Sequence, residues 1–540
     1  MGTIGAVRAR SFPVSRRGRR GADPTPTAST LVSPGQRVLA GLVLVCAVAG
    51  ARLDPRLTAT VAVAVAVCMV FYFLTALLKL VVSIAGRGYR PPRRVSLGPD
   101  SPGLPRYAVL LPVHKEANML RHLVARVDQL MYPRDLLSVL LLIEHDDLET
   151  LAAARALGLG FHGEDGRGSG PYGHVKVVLI PPGGPKTKPN AMNAAMDIVV
   201  AAGCEYCTIY DAEDRPDPDQ LLKAVGAFRL AAPDLACFQA ELAFWNDDTN
   251  WVTALYWIGY KIHFIRFLPG LARLGLPIPL GGTSNHFRVG ALLDVALVPG
   301  GEVWDPHNLT EDADLGARLA AAGYRIDLLT SVTMEEAPAD IRVVDKQQRR
   351  WKAGYLQTGL VHTRRPLRTA RRMGVARWFC FNLLMFGVPL SFLLNPLFVL
   401  MTVLYFVTRS PAIMELFPTA VYYPSLALML LGNVLLLFEL VHTCVEEAER
   451  SRGRFGLVRY MLLAQAMWLW MSRSTYIAVF ELIIGKRAWH KTPHGHAEDD
   501  ADHALPQPPH PVDLPYQSGT RYELPSARSG YVMAGEGEQW

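Results

Sequence analysis

Polar and apolar positions divide the chain into two textures. Uncharged apolar runs cover residues 57–78, 378–408 and 420–438, each near or above the roughly 20 residues that cross a bilayer as an α-helix. A shorter run, residues 38–51, is bounded by Arg37 and Arg52, whose long side chains can snorkel to an interface. From residue 106 to about residue 336 the texture changes. Short apolar runs, YAVLLPV, LLSVLLLIE, HVKVVLIP and EYCTIYD, alternate with longer stretches of helical period. That alternation predicts a largely parallel sheet with helices on its faces. The last apolar segment, residues 460–484, holds Arg473 near its middle and is followed by Lys486 and Arg487. Cations at both ends and one within predict an interfacial or re-entrant segment.

Composition agrees with a membrane protein: half of the 540 residues are hydrophobic, and the mean hydropathy is positive. The net charge of +7 comes from 55 basic and 48 acidic residues, and much of the excess flanks the apolar runs. Arg8, Arg10, Arg16, Arg17, Arg19 and Arg20 precede the first run; Arg87, Arg90, Arg93 and Arg94 follow the second. The positive-inside rule then places both flanks in the cytoplasm, joined by a hairpin that turns near Asp54-Pro55. Anionic lipid headgroups account for such charge better than nucleic acid does. The long basic, Pro- and Ser-rich start does not read as a signal peptide. Residues 1–33 and 496–540 are rich in Pro, Gly, Ser and charge and predict disordered tails. Seven cysteines show no regular framework, and Cys204-x-x-Cys207 without a second pair reads as small buried residues.

Polar groups follow each predicted strand: His114-Lys115-Glu116, Glu144-His145-Asp146-Asp147 and Asp211-Ala212-Glu213-Asp214. In an open α/β sheet the ligand crevice lies at those carboxyl ends. Asp211 and Glu213, two apart on extended chain, point the same way and can converge on one hard cation; the pattern alone equally describes an acidic turn. Thr310-Glu311-Asp312 opens a helical pattern, where acids complement the macrodipole and where one carboxylate, Asp312, is placed to accept a hydroxyl proton. Lys186-Thr187-Lys188 with Asn190 and Asn193 opens another helix and suits phosphate oxygens, without being a Walker motif. Gly281–His286 reads as a flexible polar stretch, either letting a substrate approach the backbone or serving simply as a turn. In KQQRRWKAGYLQTGL the cations and Trp351 suit a helix on a membrane surface; alternatively Arg350 meets diphosphate oxygens and Trp351 offers a ring face to a sugar.

In order, LPVHKE, EHDD, KTKPNAMN, DAED, GGTSNHFR, TED and QQRRW resemble the motifs of the membrane-integrated family 2 glycosyltransferases, the cellulose synthase-like and bacterial exopolysaccharide β-glycosyltransferases. The resemblance covers residues 38–495, ending in WHKTPHG. It implies an α/β GT-A fold, a Rossmann-like nucleotide-sugar-binding cytoplasmic domain inserted between transmembrane helices. Donor binding would then fall to Pro112, Glu116, Glu144, Asp146, Lys188, Asp211 and Arg350. Asp211 and Glu213 would hold Mg²⁺ or Mn²⁺, the usual Asp-x-Asp reading Asp-x-Glu here, with Asp214 able to share the load. Asp312 would be the catalytic base, and Gln347, Trp351, Thr310 and Glu311 would meet the acceptor.

The implied reaction is inverting transfer from a UDP-sugar, UDP-glucose favoured, building a β-linked polysaccharide processively. Alternatives are transfer of a single sugar to a lipid acceptor and a non-catalytic assembly subunit. Expected partners are the donor, a growing glycan or lipid acceptor, membrane lipids and export or assembly subunits, and no nucleic acid. The expected location is the plasma membrane, multi-pass. The expected organisation is a disordered basic tail (1–35), a transmembrane hairpin (36–86), a catalytic domain (100–345), interfacial helices with Gln-x-x-Arg-Trp (346–375), carboxyl-terminal transmembrane or interfacial helices (376–485) and a disordered tail (496–540).

Overall fold

The computed structural model describes residues 26–53, 58–163, 168–298, 301–411, 413, 423, 441–442 and 460–485. The predicted run 420–438, save residue 423, the turn near Asp54-Pro55, the WHKTPHG stretch and the carboxyl-terminal tail lie outside them, as do residues 1–25.

Two apolar helices come first, α1 (Pro34–Leu53) and α2 (Thr58–Gly86). The α/β part follows: β1 (Tyr107–Val113), α3 (Ala117–Asp128), β2 (Leu137–Glu144), α4 (Leu148–Ala156), β3 (Gly160–Phe161), β4 (Val175–Ile180), α5 (Lys188–Ala201), β5 (Tyr206–Ile209), β6 (Arg215–Pro216), α6 (Gln220–Leu230) and β7 (Leu235–Phe244). Next come α7 (Trp251–Ile262), which runs through one π-helical turn (His263–Phe267) into α8 (Leu268–Arg273), then β8 (Asn285–Arg288), α9 (Val289–Asp294), α10 (Glu311–Ala321) and β9 (Arg325–Glu335). The chain closes with α11 (Ile341–His362), α12 (Pro366–Met373), α13 (Val375–Thr408) and α14 (Met461–Ile483).

The nine strands form one mixed sheet in the order β3-β4-β2-β1-β5-β8-β7-β9-β6. All four apolar runs became strands of its parallel half, where β1 pairs in parallel with both β2 and β5. These strands are buried on both faces, so they read as continuous apolar runs without alternation. Chain order reverses between β1 and β5, which makes the crevice at their carboxyl ends the topological switch point of the sheet. Beyond β5 the expectation of a parallel sheet gives way. Strand β8 runs antiparallel between β5 and β7, and β6 lies antiparallel to β9. The stretch read as flexible and polar thus supplies a central strand. Its His286 is fully buried between Tyr107 Oη at 2.7 Å and Gln220 Oε1 at 3.1 Å. Burial pushes that imidazole down to about 3, so it stays neutral.

Separate apolar clusters cover the two sheet faces. A third joins the sheet to the apolar helices through Val82 of α2, Leu268 of α8, Ala313 and Ala317 of α10 and Phe381 and Leu384 of α13. Gly86 and Gly270 bring α2 almost backbone to backbone with the π-helical turn and α8; a Cβ on Gly86 would collide with the Arg266 carbonyl, and one on Gly270 with the Val82 carbonyl.

Three described helices are long and apolar enough to cross a membrane: Pro34–Leu53, Thr60–Gly86 and Val375–Thr408. No side chain of α1 is buried against the protein. Helix α13 is unbroken over 34 residues despite Pro389 and Pro396. Residues 460–484 form an unbroken helix, α14, packed against α11 and α13 rather than a re-entrant loop. Its Arg473 is answered by Asp345 of α11 at 3.3 Å, and Ser474 Oγ donates to the same carboxylate at 2.5 Å. Part of the tail expected to be disordered is docked: Ala28 N–H donates to Asp305 Oδ2 at 2.5 Å, and Arg364 donates to the carbonyls of Thr27 and Thr30.

Candidate active site

A cavity of about 720 Å³ starts at the carboxyl ends of β1, β2 and β5, passes the start of α10 and ends among α2, α11, α13 and α14. At the end of β1, Lys115 takes φ 55°, a left-handed conformation uncommon outside glycine. The bend is held by Lys115 N–H on Asp147 Oδ2 at 2.5 Å and Glu116 N–H on Thr150 Oγ1 at 3.3 Å. Asp147 also caps α4. Pro112, Glu116 and Glu144 therefore line the cavity, and burial raises the Glu144 carboxyl. Asp146 stands apart. Its side chain is exposed and ion-paired with Lys186, and of the two only Lys186 reaches the cavity wall.

The acidic turn after β5 sorts its three carboxylates. Asp211 and Glu213 line the cavity. Asp214 is fully buried and turned inward, accepting from Asp211 N–H at 2.7 Å and from the Thr283 hydroxyl. It shapes the turn and does not share a ligand position with Glu213. Glu335, at the end of β9, joins the same wall, and nothing in its local sequence marked it. Burial, then the neighbouring carboxylates, push Glu213, Asp214 and Glu335 well above the ordinary carboxylate range. Lys188, at the start of α5, pairs with Asp211 and donates to Gly282 O at 2.8 Å. Burial opposes its charge, but Asp211, Glu311 and Asp214 outweigh burial and raise its pKa.

This surplus of carboxylates over cations is what a divalent metal would neutralise, so Asp211 and Glu213 fit one. Among the described residues, the tight group able to share an ion is instead the mostly exposed Glu144, His145 and Asp146.

Thr310 is the N-cap of α10, and Glu311 and Asp312 form its first turn. Asp312 Oδ1 accepts from Ala313 N–H at 2.7 Å, and both acids line the cavity. Burial raises Asp312 to about 6, with Arg350 and Lys188 pulling the other way, and raises Glu311 to about 8. Helix α11 lies against this turn. A Cβ on Gly354 would stand 2.5 Å from Thr310 Cγ2, so only glycine allows that seating. A buried polar triad holds the same two helices: Asp314 of α10 accepts from Arg318 Nε at 2.8 Å and faces His362 Nε2 of α11 at 2.9 Å.

So fixed, α11 turns Gln347, Arg350 and Trp351 to the cavity. Gln347 Oε1 accepts from Tyr256 Oη at 2.9 Å, while Gln348 Nε2 donates to that Tyr256 Oη at 3.1 Å. Arg349 faces away, toward Asp345 and Glu481. The sequence-derived set is thus brought onto one cavity apart from Asp146. Besides Glu335, the wall includes Tyr256, Tyr260 and Tyr355, which no local motif singled out, and Lys186 from the Lys186-Thr187-Lys188 motif.

Residues 206–438 match the family described as glycosyl transferase family group 2. Among curated relatives, a probable glucomannan 4-beta-mannosyltransferase 7 of Oryza sativa subsp. japonica is 26% identical over 313 residues, covering 55% of this chain and 50% of the relative. Glucomannan 4-beta-mannosyltransferase 1 of the same plant is 26% identical over 317 residues, covering 56% of this chain and 57% of the relative. The chain spans about half the length of the curated relatives it matches. Among solved structures, a mannosyltransferase from Pyrobaculum calidifontis in complex with GDP-Man and Mn²⁺ is 18% identical, with a TM-score of 0.49 over 78% of this chain and 99% of that one. Over residues 206–438, therefore, the chain is similar to the glycosyl transferases of family group 2.

Proposed function

We propose that the protein transfers a hexosyl residue from a nucleoside diphosphate sugar to a sugar hydroxyl, with inversion, and so builds a β-linked polysaccharide at a membrane. The observation that carries this reading is the single cavity joining Asp211, Glu213, Asp312, Arg350 and Trp351 to the apolar helices. Asp312 removes the acceptor proton; its burial and raised pKa support that role, because a base near neutrality balances availability against strength. Lys188 and Arg350 offset the charge of the departing diphosphate, and Trp351 offers the acceptor a ring face. Mg²⁺ or Mn²⁺ held by Asp211 and Glu213 would supply further neutralisation of that diphosphate. The relatives' names favour a mannosyl residue, so a nucleoside diphosphate mannose is preferred here over the UDP-glucose suggested by the motifs.

The test uses the full chain in membranes, given radiolabelled GDP-mannose or UDP-glucose, with products sized by chromatography. The reading expects an alkali-stable polymer of many residues from one of the two donors. Label recovered only as a glycolipid carrying a single sugar would replace polymerisation with single transfer. No release of nucleoside diphosphate from either donor would remove the enzymatic reading.

A further inference from the structure

The membrane-side end of the cavity has a chemistry that donor binding does not use. One stripe of α2 faces it, with Tyr72, Thr75, Lys79 and Ser83 recurring at helical spacing. Opposite stand Lys352 of α11 and Phe392 of α13. Lys352 is only 6% exposed, and its Nζ lies 4.3 Å from the centre of the Phe392 ring. Lys79 and Lys352 line the same cavity, and burial, followed by the positive charge of Lys79, holds the Lys352 ammonium down to about 7.

Among the described residues, no carboxylate lines this end of the cavity. Those on the cavity wall, Glu116, Glu144, Asp211, Glu213, Glu311, Asp312 and Glu335, all belong to the α/β part. Neither α2 nor α13 contains an acidic residue. Among the described residues, no ion pair involves Lys79 or Lys352.

Two cations on one cavity wall, with no anion paired to them among the described residues, are unfavourable, and an arriving anion would relieve both. A neutral glycan has no use for them. A free inorganic ion has no use for the apolar wall of Leu384, Met385, Val388 and Phe392 beside them. An amphiphile with a charged head suits both features. Lys79 lies seven residues before Gly86, where α2 meets the α/β part, or about 10 Å along the helix. That depth matches a headgroup better than the middle of a bilayer.

We infer that Lys79 and Lys352 form an anion subsite for the phosphate of a lipid-linked saccharide acceptor, whose hydrocarbon lies along α2 and α13. The acceptor's sugar hydroxyl would then reach toward Asp312; that last placement rests on the transfer reading above, whereas the anion subsite does not.

Binding is therefore measured without donor, on the full chain in detergent. The probes are a short isoprenyl monophosphate, the matching isoprenyl alcohol, inorganic phosphate and a uronate-bearing oligosaccharide. The isoprenyl phosphate is expected to bind at least tenfold more tightly than each of the others. Lys79→Gln and Lys352→Gln should each weaken it tenfold or more, and Lys352→Arg should retain it. Lys352→Met should raise the melting temperature while weakening binding, a combination that a merely structural lysine would not produce. Equal affinity for the alcohol, or for inorganic phosphate alone, would overturn the subsite as a lipid-phosphate site. Tighter binding of the uronate glycan would transfer it to a different acceptor class. Unchanged affinity in both Gln variants would remove the lysines. If no sugar is transferred to any acceptor while the phosphate probe still binds through these lysines, the transfer reading fails and the subsite stands.

Discussion

At the scale of single residues, the site depends on which carboxylates face the cavity and which face the core. Asp312 faces the cavity with its pKa raised to about 6 by burial. Its basic form is therefore lost as pH falls through about 6, and transfer rate should decline over that window on the acid side. Asp312→Asn should lower turnover by about 10²–10⁴-fold, abolish that acid limb and leave donor affinity largely unchanged, as read from a pH–rate profile with donor titration. Asp214 faces the core. Losing its bonds to Asp211 N–H and Thr283 should make Asp214→Asn mainly a stability variant with a lower melting temperature. Glu213→Gln should instead raise the metal concentration needed for half-maximal activity, and equal metal requirements in the two variants would contradict this division.

At the scale of elements, the decisive contact is α10 against α11. It places the first turn holding Asp312 beside Arg350 and Trp351, residues separated from it by all of β9. Gly354→Ala would force α11 away from Thr310. A fall in turnover larger than the loss of thermal stability is expected, checked by kinetics and melting on one preparation. Asp314→Asn breaks a buried triad and leaves Arg318, 6% exposed, without its carboxylate. A destabilisation of about 3–5 kcal/mol is expected for a buried pair broken on one side, seen as a marked drop in melting temperature. Trp351→Ala should impair elongation more than donor binding, read from product length against donor KM.

Taken as a whole molecule, the α/β part and the apolar helices share a core through Val82, Leu268, Ala317 and Phe381, and the cavity wall draws on both. A chain cut to residues 100–345 would lack Arg350 and Trp351 and expose that core to water. It should aggregate and show no transfer, whereas the full chain in detergent should be active. Chelation by EDTA should stop the full chain, and Mn²⁺ or Mg²⁺ should restore it. Full activity in EDTA would remove the metal role given to Asp211 and Glu213.

What could be read along the chain was whatever local pattern controls. The runs YAVLLPV, LLSVLLLIE, HVKVVLIP and EYCTIYD are buried on both faces, so their composition alone marked them as strands. The order of the polar groups behind them located the crevice because strand ends face it. Charged flanks and apolar length marked the helices now seen as α1, α2 and α13.

Only tertiary structure decided the rest. Gly281–His286 has the composition of a turn, yet pairing on both sides made its end a central strand. Asp146 and Asp214 sit in the same motifs as Glu144 and Asp211 but were turned elsewhere by Lys186 and Thr283. Glu335 reached the site through the register of β9 against β7. Along the chain Lys79 directly follows an apolar run and Lys352 stands in a basic cluster. Whether such a charge is paired, solvated or stranded depends on what folds against it, which is set by contacts between distant segments rather than by neighbours in sequence.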